Sequence, residues 1–147
     1  MEKKRLQIGF MARVLVVFIL LGVICACSST PTIITQPNVN FSKYKYACIM
    51  GIQLSGYTQQ YYAPIQDTLL LCGYNVITEE RIRTLSADEQ SELMLVSVGY
   101  VNGTFTIGIT DYLSGGLLVS CKRYSYWLAP YKLLEEILKD LEKIIKK

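Results

Sequence analysis

Histidine is absent from all 147 residues. That removes the commonest general base and the commonest metal ligand. After the first 27 residues the chain has no Cys-x-x-Cys pair, and nowhere does it carry Gly-x-Ser-x-Gly, a phosphate loop or Gly-x-Gly-x-x-Gly. Zinc sites of paired cysteines, serine-hydrolase elbows and nucleotide cradles are thereby excluded as readable motifs. A cysteine nucleophile would lack its usual imidazole partner. No metal and no cofactor is implied.

What the chain has is a greasy beginning. Lys3, Lys4, Arg5 and Arg13 make the start basic, and Val14 to Ile24 is apolar apart from Gly22. Eleven residues fall short of the ~20 that cross a bilayer as a helix. A basic start, a short apolar core and a small residue at its end describe a secretory signal peptide, residues 1–26. The end of that core, Ile24-Cys25-Ala26-Cys27, resembles the bacterial lipobox: an aliphatic residue, a tolerant position, a small residue, then the modified cysteine. Cys27 fits that pattern. Cys25 does not, because Ile24 is too large for the small position. The resemblance implies a diacylglyceryl thioether on Cys27, cleavage before it, and a further acyl chain such as palmitate on the new amine. Two or more chains give stable anchoring.

Removing residues 1–26 takes four basic residues and one acidic one, which leaves eleven of each. The net charge of +3 belongs to the leader, so the domain offers no case for nucleic acid. Residues 27–42 read as the lipidated cysteine and a flexible tether, with Pro31, Pro37, hydroxyl side chains and no charge before Lys43. An aspartate directly after the cysteine signals inner-membrane retention in well-studied lipoproteins of this kind. Ser28, Ser29 and Thr30 stand there instead, which favours the outer membrane with the domain in the periplasm. Residues 43–147 suit one α/β domain.

Within it, Tyr44 to Gln53 reads as a buried strand. Tyr61, Ile65, Leu69 and Cys72 mark one face of a helix, with Pro64 expected in its first turn and Gly73 as its C-terminal cap. Tyr74 to Thr78 is a second strand. Leu93 to Val101 is a third, followed by Asn102-Gly103, a strong hairpin signal. Thr104 to Tyr112 alternates, with Phe105, Ile107 and Ile109 on one face. Leu117 to Trp127 is the fifth strand. It places Leu117, Val119 and Cys121 on one face and Leu118, Ser120, Lys122, Tyr124 and Tyr126 on the other. Pro130 opens a last helix with a stripe of Leu133, Leu134, Ile137, Leu138, Leu141, Ile144 and Ile145. The expected fold is α+β, an α/β sandwich: a mixed five-stranded sheet in the order β-α-β-β-β-β-α, with two helices on one face.

Cys48, Cys72 and Cys121 are odd in number, so they allow at most one internal disulfide. Each lies in an apolar run and also suits a buried thiol. Carboxylates are the remaining catalytic option, as in a glycosidase: Asp67, Glu79, Glu80, Asp88, Glu89, Glu92 and Asp111. Each reads more simply as a surface group. Tyrosine is abundant, eleven residues all beyond the leader. Lys122, Tyr124 and Tyr126, together on the open face of the fifth strand, are the candidate partner-binding residues.

The stretch Ile109 to Tyr124, ITDYLSGGLLVSCKRY, resembles a wider group of envelope lipoproteins in which a strand ends in an acidic residue and turns through glycine into the next. Penicillin-binding-protein activator lipoproteins and TolB N-terminal-like domains belong to it, the curli-secretion lipoprotein more distantly. The similarity spans about residues 44–147. It implies a non-enzymatic protein that binds or scaffolds another envelope protein. A small hydrolase acting on glycan or peptide is the alternative from the residues themselves. Metabolic labelling with an alkyne fatty acid separates the two cysteines: Cys27→Ala should lose all label, and Cys25→Ala should keep it.

Overall fold

The computed structural model describes residues 31–50, 58–125 and 128–146. The leader, Cys27 and Tyr126 lie outside them. Six strands form one mixed sheet: β1 (Thr32–Thr35), β2 (Tyr46–Ile49), β3 (Asn75–Ile77), β4 (Leu93–Val101), β5 (Thr104–Asp111) and β6 (Leu117–Tyr124). Their order across the sheet is β1-β6-β5-β4-β2-β3. Strands β2–β3 and β2–β4 are parallel, and the β4–β5, β5–β6 and β6–β1 pairs are antiparallel. The helices are α1 (Thr58–Leu71), α2 (Glu79–Ile82), α3 (Ala87–Ser91) and α4 (Pro130–Ile145).

The expected sheet had five strands. The sixth, β1, comes from the segment read as a tether. Thr32-Ile33-Ile34-Thr35 is uncharged and rich in β-branched residues, which fit a pleated surface. It pairs from Thr32↔Lys122 to Thr35↔Val119, and the N–H of Gln36 continues the ladder to the Leu118 carbonyl at 3.0 Å. The tether reading missed it because all four residues stay exposed, so no alternation marked a buried face.

The main core lies between the sheet and the two long helices. Tyr61, Ile65 and Leu69 of α1 pack there, as their spacing requires, with Phe105, Ile107 and Ile109 of β5. The helix begins earlier than expected. Pro64 therefore sits in its second turn and forfeits one intrahelical bond. At its other end Gly73 takes φ +92°, the Gly73 N–H reaches the Leu70 carbonyl and the Tyr74 N–H reaches Leu69, a Schellman closure. Asn102 and Gly103 both adopt positive φ and close the β4–β5 hairpin with Val101 opposite Thr104.

Helix α4 buries Leu133, Leu134, Ile137, Leu138, Leu141 and Ile145, with Ile144 half-buried. Its outer face carries the Glu135–Lys139 and Glu142–Lys146 pairs at 3.0 and 2.6 Å. Two of its acids do not simply face water. Glu136 and Asp140 receive the Arg123 guanidinium from β6, the second at 2.9 Å. Helix and strand are thus clamped by a charged fork as well as by burial.

The register of β6 differs from the expected alternation at one point. Thr110 faces Leu117 while Ile109 faces Val119, so Leu118 is the extra residue of a bulge. Leu117 therefore turns to the open side, and Leu118 enters the core. Beyond the bulge the expected phase holds.

Leu141 is fully buried beneath α4. Leu141→Ala should lower stability by about 2–5 kcal/mol, the range for an emptied core leucine site, as read from chemical denaturation of the full chain.

Candidate functional site

The second face of the sheet is covered only in part. Helix α2 and the turn that follows it pack Ile82 and Leu85 over Cys48, Ile77 and Leu93, a small separate core above β2, β3 and the start of β4. The Ile82–Leu85 spacing inside the charged stretch from Glu79 to Glu92 is the sequence signal for this cover. Glu89 and Ser86 form a reciprocal capping box at the head of α3.

Among the described residues no helix covers the rest of that face. Register fixes its rows across four strands: Ser97, Gly108, Ser120 and Ile34; then Gly99, Thr106, Lys122 and Thr32; then Val101, Thr104 and Tyr124. Small and hydroxyl side chains dominate, so the surface is shallow. The Ser97 hydroxyl donates to the Gly108 carbonyl at 3.2 Å. A Cβ on Gly108 would stand 2.8 Å from the Ser97 Oγ, so Ser97 lies over the glycine. Lys122 is exposed and Tyr124 half-buried. The Tyr124 ring comes within 3.4 Å of the place a Cβ on Gly103 would occupy, so it packs over the hairpin tip. The structure thus brings Lys122 and Tyr124 to one corner of the open face. Tyr126 lies outside the described residues.

The carboxylate candidates separate. Glu92 pairs with Lys45 at 2.8 Å, and Glu89 accepts from Tyr46 at 3.1 Å besides capping α3. Asp67, Glu79, Glu80 and Asp88 are exposed on their helices. Asp111 is the buried one. It accepts the Tyr44 hydroxyl at 2.9 Å, the backbone N–H and hydroxyl of Ser114 at 2.8 and 2.9 Å, and Lys43 at 3.4 Å. These bonds shape the turn into β6, in which the Gly115 N–H reaches the Asp111 carbonyl. Burial alone would raise the Asp111 pKa. The Ser114 backbone bond, the Tyr44 and Ser114 hydroxyls and the Lys43 charge outweigh it and hold the group at about 2. Burial, then the bond to Asp111 and its charge, push Tyr44 to about 12.

The three thiols are free. Burial first, with the charges of Glu79 and Glu80, raises Cys48 to about 11. Burial, with Asp140, raises Cys121 to about 11. Cys72 is half-buried and is also shifted up by burial. None is tuned toward the reactive thiolate.

Grooves among the described residues offer no acid pair for catalysis. One of about 690 Å³ lies where residues 35–44 cross the C-terminal ends of α1 and α4, lined among others by Asn38, Phe41, Tyr44, Tyr74 and Ile145; no carboxylate lines it. A smaller one of about 230 Å³ between α1 and α4 carries Glu135 and Glu142, both in salt bridges with lysines. Among the described residues no cluster of three metal-ligating side chains occurs.

No protein-family model and no curated protein matches the chain. Solved structures do share its fold. A variant PelC dodecamer from Paraburkholderia phytofirmans superposes with TM-score 0.53 at 13% identity, covering 81% of this chain and 99% of that one. A second PelC dodecamer from the same organism superposes with TM-score 0.50 at 16% identity, covering 77% and 96%.

The Asp111 network has a signed pH signature. Its contribution is present above the unfolded carboxyl pKa of 3.8 and should be lost as pH falls toward about 2. That of the Tyr44 phenol is present below 10.0 and should be lost as pH rises through about 12. Asp111→Asn should remove the acid-side loss and bring the Tyr44 pKa down without returning it to 10, since burial remains. Denaturation across pH and ultraviolet titration of the phenol check the two limbs.

Proposed function

We propose that this chain is a lipid-anchored envelope lipoprotein that binds or scaffolds another envelope protein or assembly and catalyses no reaction. Cys27 carries the lipid, the outer membrane holds it, and the domain faces the periplasm. The observation that carries the binding role is the open sheet face. Four adjacent strands present a shallow, hydroxyl-rich surface that, among the described residues, no helix covers, with Lys122 and Tyr124 at its corner. A flat surface of that kind suits contact with a protein better than enclosure of a small substrate.

Several further features support the reading. The lipobox leader points to the envelope. The distant similarity to penicillin-binding-protein activator lipoproteins and TolB N-terminal-like domains points to a protein that works by contact. The shared fold with PelC, whose solved forms are dodecamers, suits a domain of this shape within an assembly. A hydrolase would need a carboxylate held protonated near neutral pH. The carboxylates that shift here, Glu80, Glu89, Asp111 and Glu135, all move down.

Crosslinking in intact cells tests the proposal. The native chain should capture a defined envelope protein. Lys122→Ala combined with Tyr124→Ser should keep the fold and the lipid and lose that adduct. A variant that folds, keeps its lipid and keeps the same adduct would move the binding surface elsewhere.

A further inference from the structure

The leash is short. With β1 beginning at Thr32, only residues 28–31 separate the candidate lipid-bearing Cys27 from the sheet. Five residue steps span at most about 17 Å when fully extended. Strand β4, nine residues long, spans about 30 Å. The anchor therefore cannot let the domain roam. It holds near the bilayer the end of the sheet at which β1 starts.

Register identifies that end. Thr32 lies opposite Lys122, the β6 end at Tyr124 lies opposite Thr104, and Thr104 lies opposite Val101 across the Asn102-Gly103 hairpin. The Ser125 N–H bonds the Gly103 carbonyl, and the Leu128 N–H bonds the Ser125 hydroxyl. The head of α4 therefore joins the same end. Its exposed side chains suit a headgroup layer. Val101 is 67% exposed, Tyr131 52% and Leu128 38%, and Lys132, paired with Glu135 at 3.5 Å, is exposed at the same end. Aliphatic and tyrosine side chains enter the interfacial zone, and lysine stems lie along apolar surface while their charges reach phosphate.

We infer that this end, formed by the β4–β5 hairpin, the end of β6 and the head of α4, rests on the phospholipid surface that holds the anchor. The sheet then stands upright, and its open face looks sideways, beside the membrane. The inference rests on lipidation of Cys27. It adds an orientation that a long tether would not impose, and it limits the partner to proteins that reach the bilayer surface.

A benzophenone side chain placed singly in the full chain tests it in cells, with phospholipid adducts measured by mass spectrometry and fatty-acid labelling followed on the same samples. Val101 and Leu128 probe the proposed contact, Ser97 the middle of the open face, and Leu71, 75% exposed at the C-terminal end of α1, the far end. Adducts at Val101 and Leu128, with loss of signal at Ser97 and Leu71, are expected. Adducts at Ser97 would mean that the domain lies on its open face, and adducts at Leu71 that it stands inverted; either overturns the orientation. Labelled chains with no phospholipid adduct at any site would overturn it as well. Absence of the fatty-acid label itself would remove the anchor, and the proposed orientation with it.

Discussion

Burial of the α4 stripe against the sheet is the contact on which the remaining architecture depends. Leu133, Leu134, Ile137 and Leu141 are shut from solvent almost completely, and they meet the apolar rows of β5 and β6 that would otherwise face water. Helix α1 alone covers too little of a six-stranded sheet. Each stripe residue contributes roughly 1.5–3 kcal/mol when fully buried, against a typical domain stability of about 5–15 kcal/mol. The Arg123 fork to Glu136 and Asp140 then fixes how α4 lies along β6. Such a half-buried fork gives orientation more than net stability, because its charges must first give up part of their water. On the other face, among the described residues, only β2, β3 and the start of β4 lie under a second small core.

Much of this was legible in the chain. The α4 stripe, the Asn102-Gly103 hairpin, the Gly73 cap and the alternation of β5 all rest on local physics, and each is found where its pattern lies. What escaped was decided by distant partners. Strand β1 has no buried face of its own and exists only because β6 offers it an edge. The bulge at Leu118 depends on pairing with β5, and two leucines side by side give no sign of which one turns inward. Glu136 and Asp140 look like ordinary helix-surface acids until Arg123 is brought across from a strand. Proline's usual preference points to the first turn for Pro64, whereas the helix tolerates it one turn later.

The candidate surface divides in the same way. Strand alternation was enough to set Lys122 and Tyr124 on the open side. It could not show that small residues from three neighbouring strands flatten the ground beside them, since that is a matter of register. Nor could it show that Asp111, a strand-end acid by sequence, is held by Tyr44 and Ser114.

Strand β1 also sets an order of events. It is the first part of the domain to be made, yet it pairs with the last strand. Thr32 meets Lys122 after a loop on the order of ninety residues has closed. Nearly the whole domain must therefore be delivered before the sheet can be finished. Until then the edge of β6 is bare, and Ile33 and Ile34 wait without a neighbour. Contacts that bridge such a span form slowly, and an uncharged β-branched edge is prone to pair with a second chain meanwhile. For the lipoprotein proposed here, emerging through a membrane, misassociation is most acute in that interval, and an attachment at the leading end would keep the waiting strand beside the surface where the rest of its sheet arrives.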